Sequence, residues 1–250
     1  MRNNPFPFWL LLFAYGVFGA DGVKSVSVSV MVGDSVTLHT DDTEIQGVLE
    51  LVWKIQGENK FIAEIEKEIN KLSVPGNDEE PFRGRLKLDD QTGSLTITNL
   101  TTTDSRVYEL QIKNSRETKS KIFNVDVSGV FSLDGVKKIS VRDGDPVPLQ
   151  TRVTDITGND VIEWTFGPQN TSIVKTDRVN GRIIYNEDDV RFTNTLHLDI
   201  KTGDLTISNT KTDNAGLYHI KIIKSTYTIQ KSFSVDLYNN DLYFCVKTTP

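Results

Sequence analysis

Residues 104–110 read DSRVYEL, and residues 213–220 read DNAGLYHI, so in both places an aspartate precedes a tyrosine that begins an alternating apolar pattern. Tyr108, Leu110 and Ile112 alternate with polar neighbours, which is the two-residue period of a half-buried β-strand. The pattern therefore predicts a strand whose tyrosine faces a core, and this strand occurs twice in the chain.

The rest of the chain repeats at the same interval of 110 or 111 residues. Residues 33–40, GDSVTLHT, return as GDPVPLQT at 144–151, and residues 86–97, LKLDDQTGSLTI, return as LHLDIKTGDLTI at 196–207. A register held over this length indicates two copies of one domain. A chain of 250 residues is long enough for two such domains, each with its own core. We predict one domain over 21–128, a second over 129–238 and a C-terminal tail over 239–250.

Within each copy the apolar residues follow a period of two, and short strands are separated by turn signals such as Gly33-Asp34 and Asn180-Gly181. Short strands at this spacing over about 110 residues are typical of a β-sandwich, so the predicted fold is all-β. Residues 64–72 are rich in Glu and Lys. We expect a charged edge strand and loop there, with a short helix as the alternative.

Each copy resembles an immunoglobulin V-type domain. The shared features are a Gly-Asp-x-Val-x-Leu strand B, a core tryptophan on strand C, a Leu-x-Ile strand E and a corner before strand F with an aspartate four (Tyr108) or five (Tyr218) residues ahead of the tyrosine. The resemblance implies that the tyrosine ring packs inward while its hydroxyl caps the E–F corner. It also implies ion pairs of Arg85 with Asp104 and of Arg191 with Asp213. The expected core positions are Trp53, Tyr108, Leu110 and Thr40 in the first copy and Trp164, Tyr218, Ile220 and Thr151 in the second.

The two cysteines that bridge the sheets in this family are absent from both copies. Cys245 is the single cysteine of the chain, so no intrachain disulfide can form. Thr40 and Leu110 hold the bridge positions of the first copy, and Thr151 and Ile220 hold those of the second. The two immunoglobulin-like domains therefore lack a cross-link worth roughly 2–5 kcal/mol, and packing on the tryptophans must compensate. Cys245 itself is either a free thiol or an interchain link.

The first twenty residues have the layout of a secretory signal peptide: a charged start, a short apolar centre and a small-residue exit. A transmembrane anchor is the alternative, but the uninterrupted apolar stretch is shorter than the roughly 20 residues that a bilayer needs. We expect cleavage after Ala20 and an extracellular protein. It would stand on the external side of the plasma membrane if an anchored form exists, and would otherwise be secreted.

The tandem V-type arrangement and the bridge-free first domain are similar to the signaling lymphocytic activation molecule family of leukocyte adhesion receptors, in the form found in bony fishes. The resemblance implies recognition between cells, homophilic or with a related immunoglobulin-like receptor, through the front sheet of the first domain. A secreted decoy or ligand and a structural spacer are the alternative functions.

The front sheet supplies the candidate binding residues. If Trp53, Tyr108 and Leu110 point inward, alternation sends their neighbours on strands C and F outward. The candidate partner-binding residues are Lys54, Gln56, Glu109, Gln111 and Lys113. Such a mixture of Lys and Glu gives specificity and fast association more than affinity. An ordinary solvated sheet face is the alternative interpretation.

Two sequons, Asn99-Leu100-Thr101 and Asn170-Thr171-Ser172, are candidate N-glycan acceptors in an exported chain. Asn99 is expected at the E–F turn, away from the front sheet. A glycan there would leave the proposed binding face open.

Other classes of function find little support in the sequence. The formal charge is −6 and there is no long Lys/Arg run, which disfavours nucleic acid and anionic membranes as partners. His39, His197 and His219 lack metal-ligand spacing and are expected to be solvated strand positions. We find no catalytic motif, so we predict that the protein is not an enzyme and expect neither a cofactor nor a small-molecule substrate.

Overall fold

The computed structural model describes residues 23–40 and 47–238. The predicted signal peptide, the predicted tail and Cys245 lie outside the described residues.

The first sandwich, called domain 1 below, has nine strands that correspond to A′, B, C, C′, C″, D, E, F and G of a V-type domain. They are β1 (Lys24–Val32), β2 (Ser35–Leu38), β3 (Val48–Ile55), β4 (Phe61–Glu66), β5 (Lys71–Ser73), β6 (Leu86–Leu88), β7 (Leu95–Ile97), β8 (Arg106–Asn114) and β9 (Thr118–Val130). The front sheet has the order β1-β9-β8-β3-β4-β5, and β2, β7 and β6 form the back sheet. The charged segment over 64–72 therefore belongs to an edge hairpin, as expected, and not to an α-helix.

The second sandwich, called domain 2, repeats the same nine strands. They are β10 (Lys137–Arg142), β11 (Val147–Leu149), β12 (Val161–Phe166), β13 (Thr171–Asp177), β14 (Arg182–Tyr185), β15 (Leu196–Leu198), β16 (Leu205–Ile207), β17 (Gly216–Ile223) and β18 (Tyr227–Tyr238). Strands β10, β18, β17, β12, β13 and β14 form its front sheet, and β11, β16 and β15 form its back sheet. The prediction of two tandem V-type sandwiches without an intersheet disulfide is confirmed.

Single 3-10 turns supplement the strands in both domains. They cover Pro75–Asp78 and Thr102–Asp104 in domain 1 and Val190–Phe192 and Thr212–Asn214 in domain 2. The turns at Thr102–Asp104 and Thr212–Asn214 each lead into strand F.

The two domains share a sheet. Strand β18 of domain 2 pairs with β2 of domain 1, which gives the continuous order β14-β13-β12-β17-β18-β2-β7-β6. In domain 1, β1 covers the edge of strand G from its start, with Lys24 opposite Lys121. In domain 2, β10 pairs with strand G only from Phe233 onward, because residues 131–136 form the linker instead. The uncovered first part of β18 is therefore paired by β2 of domain 1.

The shared sheet fixes which way each front face points. Across the join Leu38 stands opposite Tyr227 and Val36 opposite Ile229, and all four side chains are buried. Both cores consequently lie on the same side of this sheet. Since the shared sheet is the back sheet of domain 1 but the front sheet of domain 2, the two front faces point to opposite sides of the molecule.

A buried ion pair lies at the junction between domain 1 and domain 2. The ammonium of Lys231 donates to both carboxylate oxygens of Asp34, at 2.6 and 2.7 Å, and each side chain is only 1% exposed. Loss of water raises the pKa of the Asp34 carboxyl and lowers the pKa of the Lys231 ammonium, while the contact between the charges opposes both shifts. The linker residue Phe131 covers the pair, with its ring 4.5 Å from the ammonium and 5.1 Å from the ring of Phe233.

Close approach of the linker also explains Gly33. This residue has a positive φ of +87°, and a Cβ placed on it would lie 2.3 Å from the carbonyl oxygen of Ser132. Only glycine fits at this position, so the turn that precedes β2 and the linker are packed together without a side chain between them.

The positions that lack the disulfide are filled in the same way in both domains. Leu110 and Ile220 are fully buried. The threonine at the other bridge position of each domain directs its hydroxyl to the turn that precedes strand E. Thr40 donates to the carbonyl of Thr92, and Thr151 donates to the carbonyl of Thr202 at 2.5 Å. The hydroxyl thus makes a hydrogen bond where the family would have a cross-link.

The core tryptophans are fixed by an equivalent hydrogen bond. The indole nitrogens of Trp53 and Trp164 donate to the carbonyls of Gly93 and Gly203, both at 2.9 Å. Gly93 has φ +70°, and a Cβ there would lie 2.4 Å from Leu51. The glycine therefore allows the turn to close on the indole.

The tyrosine corner forms in both domains, but the ion pair beside it forms in one only. Tyr108 and Tyr218 are fully buried and donate to the carbonyls of Asp104 and Asn214, at 3.0 and 2.5 Å. The structural counterpart of Asp104 is therefore Asn214, not Asp213. The expectation of a pair between Arg191 and Asp213 is wrong, because Asp213 is exposed and Arg191 pairs with Asp189 at 2.6 Å.

The residue at the position of Arg85 also differs between the two domains. Arg85 forms two 2.8 Å bonds with the buried Asp104, as expected. The carbonyl of Arg85 accepts from Thr98, and the equivalent carbonyl of domain 2 belongs to Thr195. Domain 2 thus has Thr and Asn where domain 1 has Arg and Asp.

Candidate partner-binding face

The candidate residues lie on the outer side of strands β3 and β8 of domain 1. Lys54 stands opposite Glu109, and the neighbouring β3 positions, Val52 and Glu50, stand opposite Gln111 and Lys113. Strand β9 extends the same face beyond β8, with Ser120 opposite Gln111. Strands β4 and β5 extend the face on the other side of β3.

Three of the candidate residues are joined in one hydrogen-bond network. Lys54 donates through Nζ to Oε1 of Gln111 at 3.0 Å, and Gln111 donates through Nε2 to Oε1 of Glu109 at 2.7 Å. Ser120 on β9 also donates to that oxygen of Glu109, at 3.4 Å. The network crosses strands C, F and G, and its members are half-buried. These side chains are therefore already oriented, so less side-chain entropy is lost when a partner binds.

The other two candidates lie outside this network. Lys113 is exposed and pairs with Glu50 at 3.3 Å. Gln56 is exposed just beyond the end of β3, where its backbone N–H donates to the carbonyl of Val107 at 2.9 Å. Val52, which alternation also sends outward, is nearly covered by its neighbours.

Sequence reasoning missed a second charged cluster on this face. Lys71 of β5 donates to Glu64 at 3.1 Å and to Glu66 at 2.5 Å, and these bonds raise the pKa of its ammonium. Glu64 stands opposite Val52 in the register and is buried. The alternation of Glu64 and Glu66 was the available signal, but the pairing of β4 with β3 was needed to place these residues on the same face as Lys54.

One aromatic side chain also stands at this face. Phe61, at the start of β4, is opposite Lys54 in the register and is 36% exposed. Exposed aromatic residues beside a polar network are typical anchor points of protein interfaces. The face therefore combines charges of both signs with one apolar anchor.

Domain 2 does not repeat this face. Its residues at the positions of Glu109 and Gln111 are His219 and Lys221, and Thr165 stands opposite His219. His219 shares a 2.8 Å hydrogen bond with Ser232, and burial, followed by the charge of Lys221, lowers the pKa of its imidazole.

The histidines differ from the expectation of solvated strand positions. His197 is exposed, but His39 and His219 are half-buried, and the Nε2 atom of His39 shares a 2.9 Å hydrogen bond with Thr228 across the domain junction. Among the described residues, no group of three or more His, Cys, Asp or Glu is arranged to hold a metal ion.

The two sequon asparagines lie in turns. Asn99 follows β7, is half-buried, and its side-chain oxygen lies 3.4 Å from the position of a Cβ on Gly135. Asn170 is exposed in the turn between β12 and β13. Both are outside the front sheet of domain 1.

The fold is therefore that of an immunoglobulin V-type domain, present twice. The family model of the immunoglobulin V-set domain matches residues 23–128, which is domain 1 almost in full. Comparison of the sequence with curated proteins found no match.

Three of the solved structures to which the chain is similar are the following. Murine CEACAM1b is 18% identical, with 86% of this chain and 99% of that chain covered and a TM-score of 0.34. Tim-1 is 20% identical over 42% of this chain and 94% of that chain, with a TM-score of 0.35. CD84, described as a structure with bearing on SLAM family function, is 18% identical over 43% and 99%, with a TM-score of 0.34. At these identities the likeness concerns the fold alone. None of the helical segments in the part of the chain that the structure describes is long and apolar enough to cross a membrane.

Proposed function

We propose that this chain is an extracellular recognition module of the immune adhesion type, which binds a protein partner through the front sheet of domain 1. The partner is a second copy of the chain or a related immunoglobulin-like receptor on another cell. The observation that carries the proposal is the network of Lys54, Gln111 and Glu109, because it presents oriented charges of both signs.

The composition of the face indicates the kind of binding. Charged groups at a partly exposed interface steer association and fix register, but they add modest affinity because water screens them. Phe61 supplies apolar area at one edge of the face. We therefore expect a specific, weak and rapidly reversible contact.

A spacer role for domain 2 is the second candidate. The shared sheet and the buried pair of Asp34 and Lys231 hold domain 2 in a fixed position relative to domain 1. In this role domain 2 would set the distance and orientation at which the front sheet is presented.

The proposal includes export and the domain limits given by the sequence. Residues 1–20 are the signal peptide, residues 21–128 and 129–238 are the two domains, and Asn99 and Asn170 carry N-glycans. Protein expressed in animal cells should show an intact-mass excess that glycosidase treatment removes. Absence of that excess would contradict both the glycan assignment and the export assignment.

The binding proposal can be tested by charge reversal on the face. Lys54→Glu places a carboxylate beside Glu109 and removes the donor to Gln111, so binding to cells and self-association should weaken by about tenfold. Glu109→Lys should have a similar effect. The double variant, which exchanges the two charges, should recover part of the loss in a homophilic contact. The measurements are flow cytometry with fluorescent protein and sedimentation velocity.

A matched control is Lys87→Glu, which reverses an exposed charge on β6 of the back sheet. This variant should bind as the unmodified protein does. If Lys54→Glu and Phe61→Ala both leave binding unchanged, the front sheet of domain 1 is not the contact surface.

A further inference from the structure

The free edge of domain 2 is strand β14. It is a terminal strand of the nine-stranded shared sheet, and among the described residues it pairs only with β13. In an antiparallel pair, alternate residues direct their N–H and C=O groups away from the partner strand, so β14 offers unpaired groups on its outer side.

The sequence of this edge lacks the usual protection. Residues 182–185 read RIIY: the charged Arg182 protects only the start of the strand, and the remaining residues are apolar, with neither proline nor a charge, and end in Tyr185, which is 38% exposed. The corresponding edge in domain 1 is different, because Lys71 of β5 is exposed and Pro75 follows two residues after the strand. Exposed apolar edges without Lys or Pro are the ones that accept another strand.

A groove runs beside the edge. It has a volume of about 680 Å³ and lies along the β13–β14 hairpin, where Ile184, Tyr185 and Asn186 are among the residues that line it. The groove gives an incoming strand room for its side chains.

Charge is distributed along the edge with opposite signs at its two ends. Arg182 begins the strand, and Glu187 and Asp188 follow its end. The Arg182 side chain is 67% exposed and reaches Asp177 only through Nε, at 3.5 Å. Glu187 and Asp188 are exposed, and no ion pair joins either of them to another described residue.

This distribution favours a second copy of the same strand. Antiparallel pairing about a two-fold axis near Ile184 brings Arg182 of each copy toward Glu187 and Asp188 of the other, and Ile184 toward Ile184. Parallel pairing would instead place like charges side by side. An isologous contact of this kind closes on itself and stops at a dimer.

We propose that the β14 edge is a homodimerisation surface, at which two copies extend the shared sheet across a two-fold axis. It is separate from the front sheet of domain 1, which belongs to the other side of the molecule. A four-residue strand is a small contact, so the dimer should be weak and should form at high local concentration, as on a cell surface.

The test uses two complementary charge variants of the full chain. Arg182→Glu alone should weaken the dimer at least tenfold, because it faces Glu187 and Asp188 of the other copy. The double variant Glu187→Lys with Asp188→Lys should do the same, because it faces Arg182. An equimolar mixture of the two proteins should form a heterodimer, because both contacts of the mixed pair are then between opposite charges. Sedimentation equilibrium up to about 1 mM protein is the measurement.

The mixture also controls for misfolding, since a variant that fails to fold cannot restore the dimer of the other. All dimerisation measurements use chains that also carry Lys54→Glu, which weakens the front-sheet contact of the binding proposal, so that the remaining self-association reports on the β14 edge. Lys87→Glu in the same background should leave dimerisation unchanged. Three results would overturn the inference: a monomeric Lys54→Glu protein at about 1 mM, normal dimerisation of either edge variant alone, or a mixture of the two that stays monomeric.

Discussion

The Gly33-Asp34 turn of domain 1 and the Gly144-Asp145 turn of domain 2 have the same local structure and opposite surroundings. The N–H of Gly33 donates to the carbonyl of Leu100 at 2.8 Å, and that of Gly144 donates to the carbonyl of Thr210 at 2.8 Å. Asp34 is nevertheless buried against Lys231, whereas Asp145 is exposed. The repeated motif fixes the backbone of the turn, and the neighbouring domain decides what the aspartate does.

The difference arises from the path of the chain after strand G of domain 1. Domain 1 covers its own G strand with β1, so Lys121, the counterpart of Lys231, stays within its domain and donates to the carbonyl of His39 at 3.0 Å. In domain 2 the equivalent residues form the linker, and β2 of domain 1 pairs with the first part of strand G instead. The same lysine position is thereby buried within its own domain in domain 1 and buried at the domain junction in domain 2.

The largest effect should come from breaking the junction pair. Lys231→Met leaves the carboxylate of Asp34 buried without its partner, and we expect a loss of about 4 kcal/mol in the free energy of unfolding. Urea unfolding followed by tryptophan fluorescence measures this loss. Asp145→Ala, the same turn in the exposed setting, should change stability by less than about 0.5 kcal/mol.

A double variant shows whether the loss is due to the unpaired charge. Asp34→Leu combined with Lys231→Met replaces both charges by apolar side chains and should recover most of the stability. If Lys231→Met alone costs less than about 1 kcal/mol, the pair is solvated in solution and the two domains are not held together as described.

Much of each sandwich could be predicted from the sequence, because its signals are local. Each signal is contained in a few neighbouring residues: the alternation around Tyr108, the tryptophan on strand C and the glycine turns. The junction could not be predicted, since Asp34 lies in a turn of domain 1 and Lys231 in strand β18 of domain 2, and nothing local in the sequence connects them. Residues 131–136 form the linker where domain 1 has the first part of strand A′. This difference depends on packing between the domains, and no local sequence pattern indicates it.

The candidate face was predictable only in part. Period-two alternation places Lys54, Glu109 and Gln111 on one side of the sheet, but it does not reveal that Gln111 bridges the other two. Phe61 was missed because its exposure depends on how β4 begins against β3. The false pair of Arg191 with Asp213 came from aligning aspartates by identity, although the tyrosine corner makes Asn214 the counterpart of Asp104.

The next largest effect should distinguish the two arginines. Arg85→Met leaves Asp104, which is fully buried, without the two bonds that neutralise it, and should cost about 3 kcal/mol. Arg191→Met removes a surface pair with Asp189 and a contact with the ring of Phe166, and should cost less than about 1 kcal/mol. Thermal unfolding of both variants provides the comparison, and equal losses would show that the two corners are equivalent.

A smaller effect should come from the threonines at the bridge positions. Thr151→Val keeps the volume but removes the hydrogen bond to the carbonyl of Thr202 and the one accepted from the N–H of Val153, so we expect a loss of about 1–2 kcal/mol. Thr40→Val should behave in the same way in domain 1. Thr206→Val on the outer side of β16 is a control that leaves this bond intact. A neutral result for both bridge variants would mean that packing alone replaces the disulfide.

The smallest effect should be the pH dependence that His219 of domain 2 contributes. Burial lowers the pKa of His219 below the ordinary imidazole value of 6.5, so the unfolded chain takes up this proton before the folded protein does. The contribution to stability is complete above pH 6.5 and is lost as the pH falls through the lower folded-state pKa. His219→Gln should remove this part of the slope, because glutamine can keep a bond to Ser232 but does not titrate. His197→Gln, at an exposed position, is the control. Urea unfolding from pH 7.5 to 5 measures the slope, and a slope that His219→Gln leaves unchanged would assign the dependence to other groups.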